Sequence, residues 1–163
     1  MAAAATPAIA VLVAAGVPHE VLGYRHDPRN HSFGQEAVDE LARTHAVVPE
    51  QVFKTLVLAL PTGLAVAVLP VPAKLSLKAA AAALGAPKVA LADVGDAQRA
   101  TGYVTGGISP LGQRKKLPTV IDNSALTWDR VLCSAGKRGL DVALAPRDLA
   151  DLTGAILADI TAD

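Results

Sequence analysis

Hydrophobic and polar positions near the start of the chain switch between helical and extended periods. Threonine followed by proline predicts a short helix over Pro7–Ala15, which Gly16 ends. Residues His19–Tyr24 alternate as a half-buried strand does. Ser32 and Gln35 resemble a capping box that opens a second helix, because apolar positions recur behind them at helical spacing.

Two continuous apolar runs in the middle of the chain have the length of buried strands. They cover Thr55–Leu60 and Leu64–Leu69, and a Pro-Thr-Gly turn separates them. This spacing predicts a β-hairpin buried on both faces. The combined stretch is long enough for a membrane span, but its prolines and glycine argue against a spanning helix.

The rest of the chain interleaves short helices with short strands. Further helices are predicted to start at Pro49, Ser76, Asp93 and Pro146, and further strands to cover residues 88–92, 119–121, 130–133 and 140–144. The patterns predict the α/β class in a mixed α+β arrangement: a mixed, partly barrel-like β-sheet of six to seven strands surrounded by five or six short helices. We expect a single domain over residues 1–163.

Composition and charge narrow the classes of function. Hydrophobic residues make up 52% of the chain and aromatic residues only 3%, so the core must be aliphatic. The formal net charge is zero, which excludes a protein that coats nucleic acid by bulk electrostatics. Any nucleic-acid contact must therefore be a local patch, and we expect neither DNA nor a membrane as a partner. The single cysteine, Cys133, and an N-terminus without a basic signal-peptide region predict a soluble, cytoplasmic protein.

The segment of residues 101–118, TGYVTGGISPLGQRKKLP, carries the strongest signal for a binding site. Its four glycines, two prolines and three consecutive cations exclude a plain helix or strand. The pair Gly106-Gly107 lets a turn expose its amide hydrogens to an oxyanion or phosphate, and the cations at 114–116 could meet a polyanion. The alternative is an ordinary glycine-rich turn followed by solvated basic residues.

Lys54 stands at the start of an apolar run that should be buried. Because burying an ammonium group without a partner is costly, Lys54 either meets an anion or lines a cleft. The alternative is a lysine at a strand end whose side chain extends to water. Tyr24 and Phe33 lie near titratable or flexible positions, and Asp141 follows a second glycine-rich basic loop. Each of these three is also compatible with a core ring or a surface turn.

Several common catalytic templates are missing from the sequence. It contains no phosphate-binding loop of the GxxxxGK[ST] kind, no GxSxG motif and no histidine pair at metal-ligand spacing. The four histidines are scattered and show no partner that would make one a base. Cys133 falls inside an apolar strand pattern, where a thiol usually packs as a small hydrophobe. We therefore expect no metal, no cofactor and no side-chain nucleophile.

In order and spacing, eight segments together resemble the YbaK/EbsC family, and within it the Cys-tRNA(Pro) deacylase type. The segments are TPAIAVL, YRHDP, NHSFGQEAV, VFKTLVL, AVAVLPV, LGAPKV, TGYVTGGISPLGQRKKLPTVID and SAGKRGLDV. Members are free-standing relatives of the editing domain inserted in bacterial prolyl-tRNA synthetases. The resemblance implies a trans-editing hydrolase that removes cysteine from the acceptor end of tRNA(Pro), with prolyl-tRNA synthetase as a possible transient partner.

The resemblance also implies roles for individual residues, with the substrate's own thiol attacking its ester carbonyl. By this resemblance, Lys54 is the expected central cation, and the backbone amides of Gly106, Gly107 and Ile108 form the oxyanion hole. Tyr24, Phe33 and Thr55 are expected to shape the pocket, and Ser134 and Asp141 to hold the α-amino group. The residues expected to contact tRNA phosphates are Arg114, Lys115, Lys116, Lys137 and Arg138.

Two alternatives and one departure from the family pattern remain. The protein could instead remove alanine from tRNA(Pro), or have broader aminoacyl specificity, or be a non-catalytic module that binds tRNA or a synthetase. The segment of residues 39–51 is several residues longer than the usual spacing. We expect this segment to influence how the acceptor end approaches the site.

Overall fold

The computed structural model describes residues 6–162, which form five α-helices, two 3-10 helices and ten strands. The α-helices are α1 Pro7–Ala15, α2 Phe33–His45, α3 Leu77–Leu84, α4 Val94–Thr101 and α5 Pro146–Thr153. The strands are β1 His19–Gly23, β2 Phe53–Leu60, β3 Gly63–Pro70, β4 Lys74–Leu75, β5 Ala90–Leu91, β6 Thr119–Asp122, β7 Val131–Lys137, β8 Leu140–Leu144, β9 Ile156–Ala158 and β10 Thr161–Ala162. The 3-10 helices are Pro49–Gln51 and Asn123–Thr127.

The strands form three sheets, and the largest is mixed. Its five strands lie in the order β5-β2-β3-β6-β9, with the β2–β3 hairpin antiparallel and both β3–β6 and β6–β9 parallel. A second sheet has the antiparallel order β1-β8-β7, and β4 pairs with β10. The predicted mixed α/β class is confirmed.

The predicted count of six or seven strands in one sheet is wrong. β8 pairs with β1 on one side and β7 on the other, and neither β7 nor β8 joins the sheet around β3, so the chain builds separate sheets. The extra strands β4, β9 and β10 have only two or three residues, too few to show a hydrophobic period. None of the three sheets closes on itself within residues 6–162.

The predicted hairpin is confirmed, and its burial explains its apolar sequence. Every residue from Ala65 to Pro70 in β3 is buried, because its alternating residues pack into two different core clusters. β2 is less enclosed: Lys54, Thr55 and Leu56 are only partly buried. This difference leaves open space beside the first half of β2.

The predicted helix starts are confirmed, and the side chains of Thr6, Ser76 and Asp93 cap three of these helices. Thr6 Oγ1 accepts a hydrogen bond from the N–H of Ile9 at 3.2 Å, and Ser76 caps α3 in the same way. The predicted capping box at the start of α2 is wrong, because the Ser32 side chain makes no capping hydrogen bond. Gln35 instead donates to the next turn of the helix. No helix among residues 6–162 is long and apolar enough to cross a membrane.

Candidate active site

A cavity of about 350 Å³ opens beside the first half of β2. Its walls come from β2, the start of α2, the glycine loop after α4, and the β7–β8 hairpin. The lining is mainly aliphatic and aromatic, and it includes six residues with polar side chains: Tyr24, Lys54, Thr55, Thr105, Ser134 and Asp141. A mostly apolar cavity with a few convergent polar groups is typical of a small-ligand site.

The cavity brings together most of the site residues that the sequence predicted. Those that line it are Tyr24, Phe33, Lys54, Thr55, Gly106, Ile108, Ser134 and Asp141. Gly107 and the five predicted phosphate-binding cations lie outside the lining. Residues as far apart as 24 and 141 thus share one space, because β8 pairs with β1 and Leu22 stands opposite Asp141.

Lys54 lines the cavity and its ammonium group is held by main-chain carbonyls. Lys54 Nζ donates to Val71 O at 3.1 Å and to Ala73 O at 2.6 Å, in the turn that follows β3. It forms no salt bridge among the described residues, and burial lowers its pKa below the usual value. Of its three N–H donors, one remains for a ligand. Lys54 therefore lines a cleft, which was one of the positions that the sequence analysis considered for it.

Asp141 is the most unusual charged group in the cavity. It is only 4% exposed, and its carboxyl has no hydrogen-bond or ion-pair partner in the described part of the chain. Burial raises the pKa of Asp141 to about 7. Burial, with the nearby Asp141 charge as a second cause, raises the pKa of Tyr24 to about 12, which keeps that phenol protonated. An unpaired buried carboxyl of this kind is suited to a cationic ligand.

Two further hydroxyl groups in the lining are those of Thr55 and Ser134. Thr55 Oγ1 is buried and has no hydrogen-bond partner. Ser134 stands directly opposite Asp141 in the β7–β8 ladder, and its Oγ accepts a hydrogen bond from the N–H of Gly136 at 3.1 Å. The irregular register after Ser134 brings this amide back toward the side chain. Thr55 thus has unused hydrogen-bonding capacity inside the site.

The glycine loop offers two backbone amides rather than three. The N–H of Gly107 donates to Val104 O at 2.8 Å, so it stabilises the turn, and the predicted contribution of Gly107 to an oxyanion hole is corrected. Within residues 6–162, the amides of Gly106 and Ile108 donate to no backbone carbonyl. Gly106 has φ +87°, and a Cβ there would lie 2.5 Å from Cγ of Phe33. Only glycine permits this loop to lie against the ring.

The described residues provide no obvious nucleophile paired with a base in the cavity. Cys133 is fully buried in the core, and burial, followed by the Asp141 charge, raises the pKa of its thiol. His26 does have a partner, contrary to the sequence analysis, since its Nδ1 lies 2.6 Å from Glu36 Oε1. This pair lies outside the cavity lining, however. No cluster of three histidine, cysteine or acidic residues among residues 6–162 could hold a metal.

The five predicted phosphate-binding cations are all exposed. The chain of residues 114–116 docks on the end of α4, where the N–H of Arg114 donates to Thr101 O at 2.9 Å. Lys137 and Arg138 lie at the tip of the β7–β8 hairpin. The longer segment of residues 39–51 extends α2 and adds a 3-10 turn, and it does not line the cavity.

The sequence analysis missed several apolar residues of the cavity lining. Val71, Leu91 and Val94 line the cavity, although Leu91 and Val94 are 63% and 57% exposed. Exposed aliphatic residues beside a short strand give no distinctive sequence signal. The Val71 carbonyl that holds Lys54 was equally hidden, because main-chain partners seventeen residues away depend on the tertiary fold.

The chain belongs to the family of aminoacyl-tRNA editing domains, whose model matches residues 34–152. A relative from Enterococcus faecalis, provisionally named Cys-tRNA(Pro)/Cys-tRNA(Cys) deacylase EbsC, is 37% identical over 126 residues, or 77% of each protein. The family resemblance seen in the sequence is thereby confirmed.

Solved structures show the same fold over nearly the whole chain. One, described as a provisional trans-editing enzyme for prolyl-tRNA synthetase, has a TM-score of 0.83 and 24% identity, covering 99% of this chain and 100% of the other. Another, of a protein described as hypothetical, has a TM-score of 0.82 and 25% identity, covering 96% of this chain and 100% of the other.

Proposed function

We propose that the protein is a trans-editing deacylase that hydrolyses cysteine wrongly esterified to tRNA(Pro). The observation that carries the proposal is a single cavity that unites the Lys54 cation, the unpaired Asp141 carboxyl and the amides of Gly106 and Ile108. The name of the Enterococcus relative supports the same substrate. Such an enzyme is needed because a proline pocket cannot strongly reject cysteine, whose side chain has a similar volume.

The substrate's α-ammonium group is proposed to bind at Asp141. A buried carboxylate without a partner gains most from a ligand cation, and Ser134 stands opposite it to accept a further hydrogen bond. The ester carbonyl then lies toward Lys54 and the amides of Gly106 and Ile108. These donors stabilise the negative charge that develops on the carbonyl oxygen.

The chemical step is proposed to use the cysteine thiol of the substrate as nucleophile. The thiol loses its proton, its sulfur bonds to the ester carbon, and the bond from that carbon to the ribose oxygen breaks. The ribose oxygen takes up a proton and leaves as the free tRNA end. The resulting thiolactone is then opened by water to give cysteine. The protein contributes positioning and charge stabilisation, and no cofactor is needed.

The tRNA phosphates are proposed to bind the exposed cations beside the cavity. Arg114, Lys115, Lys116 and Lys137 are all exposed and form no salt bridge among the described residues. Because the chain has no net charge, we expect weak, salt-sensitive binding of free tRNA(Pro). Transient recruitment by prolyl-tRNA synthetase would offset this weakness. We expect the enzyme to act in the cytoplasm, where its substrate is made.

The proposal is tested by incubating the purified protein with Cys-, Ala- and Ser-tRNA(Pro) and measuring release of each amino acid. Cysteine should be released and the other two retained. Release of alanine but not cysteine would instead identify an alanyl deacylase, in which Asp141 is available to deprotonate a water.

A lysine variant separates catalysis from mere binding. Lys54→Ala should abolish hydrolysis, whereas Lys88→Ala should not, because Lys88 is exposed and does not line the cavity. Both variants should retain the circular dichroism spectrum of the wild type. Normal deacylation by Lys54→Ala would make the lysine structural and the site assignment wrong. Absence of turnover in the wild type would favour the non-catalytic module.

A further inference from the structure

Arg138 at the tip of the β7–β8 hairpin makes two contacts that set it apart from the other predicted phosphate ligands. Its guanidinium carbon lies 4.5 Å from the centre of the Phe33 ring, a cation–π distance. Its Nε donates to Thr105 O at 2.8 Å. One side chain therefore holds both an aromatic wall of the cavity and the residue that precedes Gly106.

These contacts connect three separate parts of the cavity. Phe33 is the first residue of α2, Thr105 begins the glycine loop, and the hairpin that carries Arg138 also carries Ser134 and Asp141. The glycine loop lies close to both neighbours: a Cβ at Gly106 would meet the Phe33 ring, and a Cβ at Gly107 would lie 3.0 Å from the backbone nitrogen of Arg138. Arg138 links these surfaces through a hydrogen bond to Thr105 O and a cation–π contact with Phe33.

Lys137 provides an internal comparison. It precedes Arg138, is also exposed, and makes no side-chain hydrogen bond or salt bridge in the described part of the chain. A residue whose only role is to attract phosphate needs no intramolecular partner. An arginine with a fixed carbonyl partner and a stacked ring is suited to positioning, because its planar fork can satisfy both contacts together.

We propose that Arg138 is a positioning residue for the deacylation site, acting through Phe33 and the glycine loop rather than as a tRNA phosphate contact. The proposal rests on the proposed function and deepens it. Without Arg138, the Phe33 ring and the Thr105 carbonyl lose their shared partner, and the amides of Gly106 and Ile108 lose their alignment. The chemical step suffers, whereas attraction of tRNA does not.

The contact can be tested independently of activity by fluorine NMR. The chain contains two phenylalanines, so labelling with 4-fluorophenylalanine gives two resonances, which Phe33→Leu assigns. Arg138→Ala should move or broaden the Phe33 resonance. The resonance of Phe53, which is only 3% exposed, should stay in place as the internal reference. Lys137→Ala should leave both resonances unchanged.

Kinetics on Cys-tRNA(Pro) then separate positioning from phosphate binding. Arg138→Ala should lower kcat by about tenfold to a hundredfold with little change in KM, and Arg138→Lys should not rescue it, because lysine lacks the fork. Lys137→Ala should raise KM and flatten the salt dependence with kcat unchanged. Arg138→Lys separates loss of the fork from loss of charge.

Specific results would overturn the proposal. An unmoved Phe33 resonance in Arg138→Ala, or a moved one with unchanged kcat, would contradict it. A raised KM and flattened salt dependence alone would make Arg138 a phosphate contact like Lys137. If the wild type hydrolyses no aminoacyl-tRNA, the proposed function and this role both fail, while the fluorine resonances still decide whether the Arg138–Phe33 contact exists.

Discussion

Replacing Asp141 by asparagine should stabilise the protein at the same time as it impairs function. Burial raises the pKa of this carboxyl from 3.8 to about 7, and no partner compensates its charge. One pKa unit corresponds to about 1.4 kcal/mol, so burial of this carboxyl costs the folded state about 4 kcal/mol at pH 8, and about 2 kcal/mol at pH 5, where the folded protein keeps it protonated and the unfolded chain does not. Asparagine is neutral at both pH values and escapes this cost.

The direction of the pH dependence of stability follows from proton binding. Between pH 4 and pH 7 the folded protein holds a proton on Asp141 that the unfolded chain has released, so this group lowers stability as the pH rises. The stability of Asp141→Asn relative to the wild type should therefore grow by about 2 to 3 kcal/mol from pH 5 to pH 8. Urea denaturation of both proteins at the two pH values measures this difference.

Asp122 supplies a matched control. It is also buried, at 3% exposure, but its carboxylate accepts hydrogen bonds from the N–H of Ile160 at 3.0 Å and of Ser124 at 3.2 Å. Asp122→Asn should lower the free energy of unfolding at pH 8. The substitution replaces one of the two accepting oxygens by an NH2 group, which cannot accept a hydrogen bond from a backbone N–H. A stability of Asp141→Asn relative to the wild type that does not grow between pH 5 and pH 8 would refute the reasoning.

The KM of Asp141→Asn for Cys-tRNA(Pro) should rise about 10- to 100-fold.

Three further changes test the cavity. Gly106→Ala should lower the free energy of unfolding by about 1–2 kcal/mol and reduce kcat, because the positive φ of this residue disfavours alanine and the new Cβ displaces Phe33. An unchanged melting temperature and unchanged turnover would contradict this expectation. Thr55→Val should raise the free energy of unfolding by about 1 kcal/mol in denaturation experiments and raise KM, since it removes an unsatisfied buried hydroxyl. Cys133→Ala should keep the wild-type kcat in the deacylation assay, because its buried thiol does not reach the cavity; loss of turnover in a folded variant would point to a protein nucleophile.

Local sequence signals predicted the elements that short-range chemistry determines. The helix Pro7–Ala15 has a capping threonine, a proline and a terminal glycine between Thr6 and Gly16, and it was predicted with its observed bounds. The β2–β3 hairpin was equally visible, because two apolar runs flank a turn. Family motifs added the residues of the cavity, although they are far apart in sequence.

Contacts that depend on tertiary packing could not be predicted. The carbonyls that hold Lys54 and the Glu36 carboxylate that meets His26 follow from how loops and α2 dock. The hydrogen bond that occupies the Gly107 amide depends on the detailed turn, which glycine content alone does not specify. Arg138 looked like any exposed cation of a basic loop. Its contacts with Phe33 and Thr105 join segments more than thirty residues apart.

The central claim, that the site lacks its own nucleophile and depends on the substrate thiol, is tested most directly with an isosteric ester. In 2-aminobutyryl-tRNA(Pro), a methyl group replaces the thiol at nearly constant size. Single-turnover assays should show rapid cleavage of the cysteinyl ester and only spontaneous decay of the aminobutyryl ester, which should nevertheless compete for the cavity. Enzymatic cleavage of the aminobutyryl ester at a rate comparable to that of the cysteinyl ester would contradict the account.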